Sequence, residues 1–282
     1  MANDSLFSKK VRCVIFAEPL EYMRIMAQSV LMIAKNFGAD IVVVYCRNER
    51  QLNKAQEALD IVEIQYSKQY FKSIFELDMG FQGEITYITS PTVMDALNLL
   101  SIDDFYYVII SGLHGASHKR QTVLGGITQR LLDECPFMHL ILPLEVAIDI
   151  PKSMVLAVSS KFPLNERFFK FALNRFLKME DKLVISSLVL ENDDVLKTHA
   201  YLKKLSNEFG LPNSRVELFD GFDALEEFKS FLFSLEDAIL VVQQGSRKLT
   251  DRNLKRFIFN DIVLSGNIPI LIVPHHSTSH LP

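Results

Sequence analysis

The chain has 282 residues, enough for two domains at about 150 residues each. At 49% hydrophobic and 23% charged it can bury a core in each half, which excludes a disordered chain. The net charge is −4, and neither half is basic: residues 1–150 carry 13 Lys+Arg against 18 Asp+Glu, the remainder 17 against 16. This excludes a cation-rich module for nucleic acid or a membrane surface. Three cysteines in 282 residues make no disulfide framework. Cys13 and Cys46 lie in apolar runs, Cys135 precedes a proline, and no pair has CxxC spacing, so they read as reduced core thiols. The start, MANDSLFSKK, has no apolar stretch before its lysines. No run approaches the ~20 apolar residues that cross a bilayer. The expectation is a soluble cytoplasmic protein with neither a nucleic-acid nor a membrane partner.

In chain order, Val11–Ala17 is the first β-branched run. Glu21–Phe37 places Met23, Met26, Ala27, Val30, Leu31 and Ala34 on one helical face, and Gly38 is its stop. Ile41–Cys46 is apolar throughout, as in a strand buried on both faces of a parallel sheet. A long helical stretch covers Arg50 to about Phe75. Strands follow at Glu84–Ile88 and Tyr106–Ser111, with a helix over Thr92–Leu100 between them. A helix over Val123–Asp133 and a strand at His139–Leu142 complete the half.

The rhythm restarts after Pro151. Strands are expected at Met154–Ser159, Leu183–Leu188, Arg215–Phe219, Ala238–Val242 and Ile270–Val273. Helices are expected at Asn165–Leu177, Asp193–Phe209, Ala224–Leu235 and Asn253–Leu264. Strands separated by helices of this length run parallel through right-handed crossovers. The predicted class is α/β, with two tandem open doubly wound five-stranded sheets, mostly parallel. Residues 135–143 (CPFMHLILP) and 266–274 (GNIPILIVP) share their proline punctuation at an offset of 131. That repeat divides the chain into domains 1–147 and 148–282, with a short joint near Val146–Lys152. The fifth strands, HLIL and ILIV, are apolar sheet edges. They are expected to pair with each other within the chain, since an open apolar edge aggregates. A homodimer is the other partner such edges allow.

The stretch with the most chemistry is Gly112–Thr128, GLHGASHKRQTVLGGIT. It leaves the carboxyl end of the fourth strand, where ligands sit in open α/β sheets. Glycines let phosphate approach backbone N–H groups. Gly125, Gly126 and Thr128 open a helix whose free N–H groups attract anions. Lys119 and Arg120 lie in the spacer and read as a solvated loop. His114 and His118 lack a third metal ligand, so no metal site is expected.

The pattern G-x2-G-x9-G after a fourth strand, followed by helix, proline and an apolar fifth strand, resembles the universal stress protein family. The architecture matches both halves, as in a tandem universal stress protein of adenine nucleotide alpha hydrolase-like fold. The glycine motif matches only the first. The resemblance implies a stress-response protein that binds ATP or an AMP-like adenine nucleotide. Its site would comprise Gly112, Leu113, His114 and Gly115 under ribose and phosphates, and Gly125, Gly126, Ile127 and Thr128 around phosphate. The family's Ser/Thr after the last glycine falls on Gly126, removing one hydroxyl that Thr128 is placed to supply. The family's Asp at the end of the first strand falls on Ala17 or Glu18. The backbone near Val43 and Val44 would face the base.

In the second half the same offset puts Gln243, Ser246 and Arg256 at the places of Gly112, Gly115 and Gly125. Its first strand ends Ser159-Ser160-Lys161, without a carboxylate. It reads as a degenerate copy that binds no nucleotide. Arg247, Lys248, Arg252, Lys255 and Arg256 read as a solvated helix face, and His275, His276 and His280 as a solvated tail. The chain has no G-x-S-x-G elbow, no H-E-x-x-H and no Walker A loop. It is therefore expected not to be an enzyme. The alternative to a nucleotide-binding regulator is a nucleotide-free interaction module with structural glycines.

Overall fold

In the computed structural model the described residues are 9–16, 20–46, 65, 68–78, 80–102, 105–112, 128, 130–132, 135–143, 150–189, 193–244, 262 and 267–275. The chain divides into two compact units. The first takes in residues 1–137 with two short later segments; the second takes in 138–143 and 148–277.

In the first unit β1 (Val11–Phe16), β2 (Asp40–Cys46), β3 (Ile85–Ser90) and β4 (Tyr106–Gly112) form a parallel sheet in the order β3-β2-β1-β4. Every residue of β4 is buried, and β2 is buried except at Cys46. This is the two-sided burial that their unbroken apolar runs require. Helix α1 (Leu20–Phe37) returns the chain from β1 to β2 and buries Met26, Ala27, Val30, Ile33, Ala34 and Phe37. Burial of each of the Met, Val, Ile and Phe side chains stabilises the fold by about 1.5–3 kcal/mol, and of each Ala less. Gly38 ends the helix at φ +59°, a left-handed conformation costly for any residue with a Cβ. Residues 68–72 are helical and continue into a π-helical segment, Ser73–Asp78, where Phe71 stacks on Phe75 at 5.7 Å. The sequence gives no sign of that widened turn; the remainder of the predicted Arg50–Phe75 helix lies outside the described residues. Helix α2 (Val93–Leu100) is capped by Thr92, whose hydroxyl accepts from the Asp95 N–H at 3.1 Å. It packs Val93, Ala96, Leu97 and Leu100 on Val14, Phe16, Val42, Val44, Tyr107 and Ile109.

The second unit holds β5 (Met138–Leu142), β6 (Ser153–Ala157), β7 (Lys182–Leu188), β8 (Arg215–Phe219), β9 (Ala238–Gln243) and β10 (Ile270–Val273). Their order is β5-β10-β9-β6-β7-β8, all parallel except β5 against β10. Strand β5, read from sequence as the fifth strand of the first half, shares hydrogen bonds with β10 and so counts with the second unit. The register pairs Leu140 with Leu271, His139 with Ile272 and Ile141 with Ile270. That register is symmetric about Leu140–Leu271, the pair related by the 131-residue offset.

Helices α3 (Glu166–Phe176), α4 (Val195–Phe209) and α5 (Ala224–Phe233) link these strands. Asn165 and Asp194 cap α3 and α4 through their side-chain oxygens. The helices predicted over 123–133 and 253–264 fall largely outside the described residues. Among the described residues no helix is long and apolar enough to cross a membrane. Burial pushes the thiols of Cys13 and Cys135 up to about 12, so neither is a thiolate near neutral pH.

Candidate functional site

The strand order reverses direction between β1 and β4 in the first unit, and between β6 and β9 in the second. The crevice beyond the carboxyl ends of such a pair is where an open α/β sheet holds its ligand. The glycine motif begins at one of these two places. Gly112 is the last residue of β4 and is buried. Thr128 is also fully buried, and its hydroxyl donates to the Gly112 carbonyl oxygen at 2.7 Å and lies 3.2 Å from the Ser111 hydroxyl. The structure thus brings Gly112 and Thr128 together across sixteen residues of chain. A hydroxyl has one hydrogen to give. Here it goes to Gly112, whereas a phosphate, an acceptor, would need it as a donor.

Val43 and Val44 lie inside β2, paired with Ile15 and Phe16 of β1 on one side and with Tyr87 and Ile88 of β3 on the other. Both are fully buried. Strand β1 stands between them and β4. Ala17, Glu18, Leu113, His114, Gly115, Gly125, Gly126 and Ile127 lie outside the described residues, as do Lys119, Arg120 and His118.

In the second unit the equivalent crevice is bridged by the chain's own groups. Gln243, at the end of β9, accepts the Asn165 N–H at 2.5 Å and donates to the Pro163 carbonyl at 2.7 Å. Its Nε2 is also 3.1 Å from His275 Nδ1. Asn165 Nδ2 donates to the Pro274 carbonyl at 3.1 Å, and the Gln244 N–H donates to Val273 at 2.8 Å. The loop after β6 is held from its other side: the Leu164 N–H donates to the Tyr201 hydroxyl at 2.8 Å, and Ser160 and Thr198 share a hydrogen bond at 3.1 Å. Lys161 pairs with the nearly buried Asp193 at 2.7 Å. His275, read from sequence as part of a solvated tail, is tied into this network. Sequence reasoning placed Gln243 opposite Gly112 but missed its partners, which lie 78 and 80 residues away. The one local signal was Asn165 itself, a good N-cap at a predicted helix start.

Comparison with protein-family profiles and with curated protein sequences finds no match. Among solved structures the chain is similar to a universal stress protein from Archaeoglobus fulgidus, with a TM-score of 0.68 and 11% identity over 95% of this chain and 97% of that one. It is also similar to a provisionally designated universal stress protein from Pseudomonas aeruginosa, with a TM-score of 0.55 and 12% identity over 99% and 98% of the two chains. A functionally unknown protein from the same organism aligns with the same TM-score and identity.

Proposed function

We propose, from the fold shared with universal stress proteins over nearly the whole chain, that this is a universal stress-type regulatory protein that binds an adenine nucleotide, ATP or AMP-like, in its first half only and catalyses no reaction. The observation that carries the reading is the position of the glycine motif: G-x2-G-x9-G starts at Gly112, at the carboxyl end of β4, beside the β1/β4 switch point. Backbone N–H groups freed by glycines there suit phosphate oxygens. The matching position in the second half carries Gln243, whose amide is committed on both sides.

Native mass spectrometry of the purified protein, followed by calorimetric titration with ATP, is the test. One adenine nucleotide per chain is the expected result; two equivalent sites would contradict it. A second reading, a nucleotide-free interaction module, draws support from Thr128, whose hydroxyl hydrogen goes to Gly112 instead of a ligand. The absence of any binding in the wild type would favour that reading.

A further inference from the structure

Strand β8 is the outer strand of the second unit's sheet; among the described residues its far edge meets no further strand. The direction of its main chain follows from one bond: the Phe219 carbonyl accepts the Val189 N–H at 2.8 Å, on the β7 side. Main-chain groups alternate along a strand. Arg215, Glu217 and Phe219 therefore turn theirs toward β7, and Val216 and Leu218 turn theirs outward. Side chains alternate between faces in the same rhythm. Phe219 meets Phe228 and Phe231 of α5, and the Arg215 guanidinium lies 4.8 Å from the Phe231 ring centroid. Val216 and Leu218 point to the other face, where with His199, Lys203, Ser206 and Asn207 of α4 they line a groove of about 410 Å³. The two residues that offer free N–H and C=O groups on the edge are thus the two that floor the groove.

We infer that this edge and groove form a docking site for an extended acidic peptide segment of another protein, added as a further strand beside β8. Main-chain bonds to Val216 and Leu218 would supply affinity, and the groove would select alternate side chains. Charge sets the chemistry of the occupant. The groove's lining includes Lys203 and His199 and no carboxylate, in a chain whose net charge is −4. A side chain standing next to Val216 or Leu218 on that face meets an apolar floor and the Lys203 ammonium. Glu or Asp satisfies both, through a short apolar stem and a charged end. A second copy of this chain fits poorly, because antiparallel edge-to-edge pairing of two β8 strands would bring Lys203 of each copy toward Lys203 of the other. Three residues beyond β8, Phe222 stands fully in solvent, an aromatic anchor of the kind that interfaces use.

The experiment is fluorescence anisotropy of the full chain with a labelled seven-residue peptide of alternating Val and Glu. Saturable binding is expected, weakening as salt is raised. Lys203→Glu, at an exposed helix position where the circular dichroism spectrum should stay unchanged, should weaken binding by about tenfold or more. An N-methyl group on alternate peptide amides should abolish it, because it removes the donors along one edge. A Val/Lys peptide should not bind. The inference is overturned if the Val/Glu peptide shows no saturable binding, or if the Lys203→Glu protein or the N-methylated peptide binds unchanged. It is equally overturned if sedimentation of the peptide-free protein reveals a dimer that Leu218→Lys, at the groove floor, dissociates, which would assign the edge to a second copy.

Discussion

Thr128 donates its hydroxyl to the Gly112 carbonyl across 2.7 Å, with no exposure to solvent. Thr128→Val keeps the shape and removes the donor. It should destabilise the protein by about 1–2 kcal/mol, because the buried carbonyl loses its partner, while Thr128→Ser should lie close to the wild type. Urea unfolding monitored by circular dichroism separates the two. Gln243→Leu should cost more, about 2–4 kcal/mol, since the Asn165 N–H and the Pro163 carbonyl both lose their partner. An equal midpoint for Gln243→Leu and wild type would show that the bridge contributes nothing to stability. These residues also mark the limit of what the sequence reveals at this scale. Glycine spacing is local, so the motif from Gly112 to Gly126 could be found. The partner of a hydroxyl or an amide is set by tertiary position, so Thr128 read as a phosphate contact and His275 as part of a solvated tail. No periodicity in the chain connects Gln243 to Asn165.

Elements were far more legible, because burial on two faces writes itself as an unbroken apolar run. All ten strands among the described residues stand within about two residues of the runs that predict them, and Asn165 and Thr92, read as first helical residues, serve as caps one residue before their helices. The π-helical segment at Ser73–Asp78 was illegible, since Phe71 and Phe75, four residues apart, fit an α-helical face equally well. Strand β5 carries a consequence of its own burial. His139 is paired in register with Ile272 and is shielded from solvent. Burial pushes its imidazole down to about 3 from the ordinary 6.5. The unfolded chain therefore takes up a proton near 6.5 that the folded chain refuses until about 3. Between those values the unfolded state binds more protons, so stability is fully present above pH 6.5 and falls as pH drops. The slope from this one group approaches about 1.4 kcal/mol per pH unit. His139→Leu should remove that component. Urea midpoints measured at pH 7 and pH 4.5 should therefore fall further for the wild type than for the variant. Parallel losses would mean that His139 is charged in the folded state.

At the scale of the whole molecule the 131-residue offset between the two proline-punctuated runs was visible in the sequence, and the Leu140–Leu271 register repeats the same number. The two halves nevertheless differ at their switch points, one carrying glycines and the other Gln243, which is tied to Asn165 and Pro163. The proposed function therefore predicts a stoichiometry. Adenine nucleotide should bind once per chain, and variants in the first half alone should change the affinity. Gly126 stands where the family motif has Ser or Thr, and a hydrogen bond to a charged group is worth about 1.5–3 kcal/mol. Gly126→Ser should then tighten ATP binding roughly ten- to hundredfold. Gly115→Val places a branched Cβ where phosphate must approach main-chain N–H groups, and should abolish binding. Ser246→Gly with Arg256→Gly, which restore two glycines in the second half, should create no second site, because Gln243 still ties the end of β9 to Asn165 and Pro163. Calorimetric titration gives affinity and stoichiometry together, and saturating ligand should raise the thermal midpoint only in proteins that bind. Unchanged affinity in Gly115→Val, or a second site in the Ser246→Gly/Arg256→Gly protein, would place the nucleotide elsewhere than at the β1/β4 switch point.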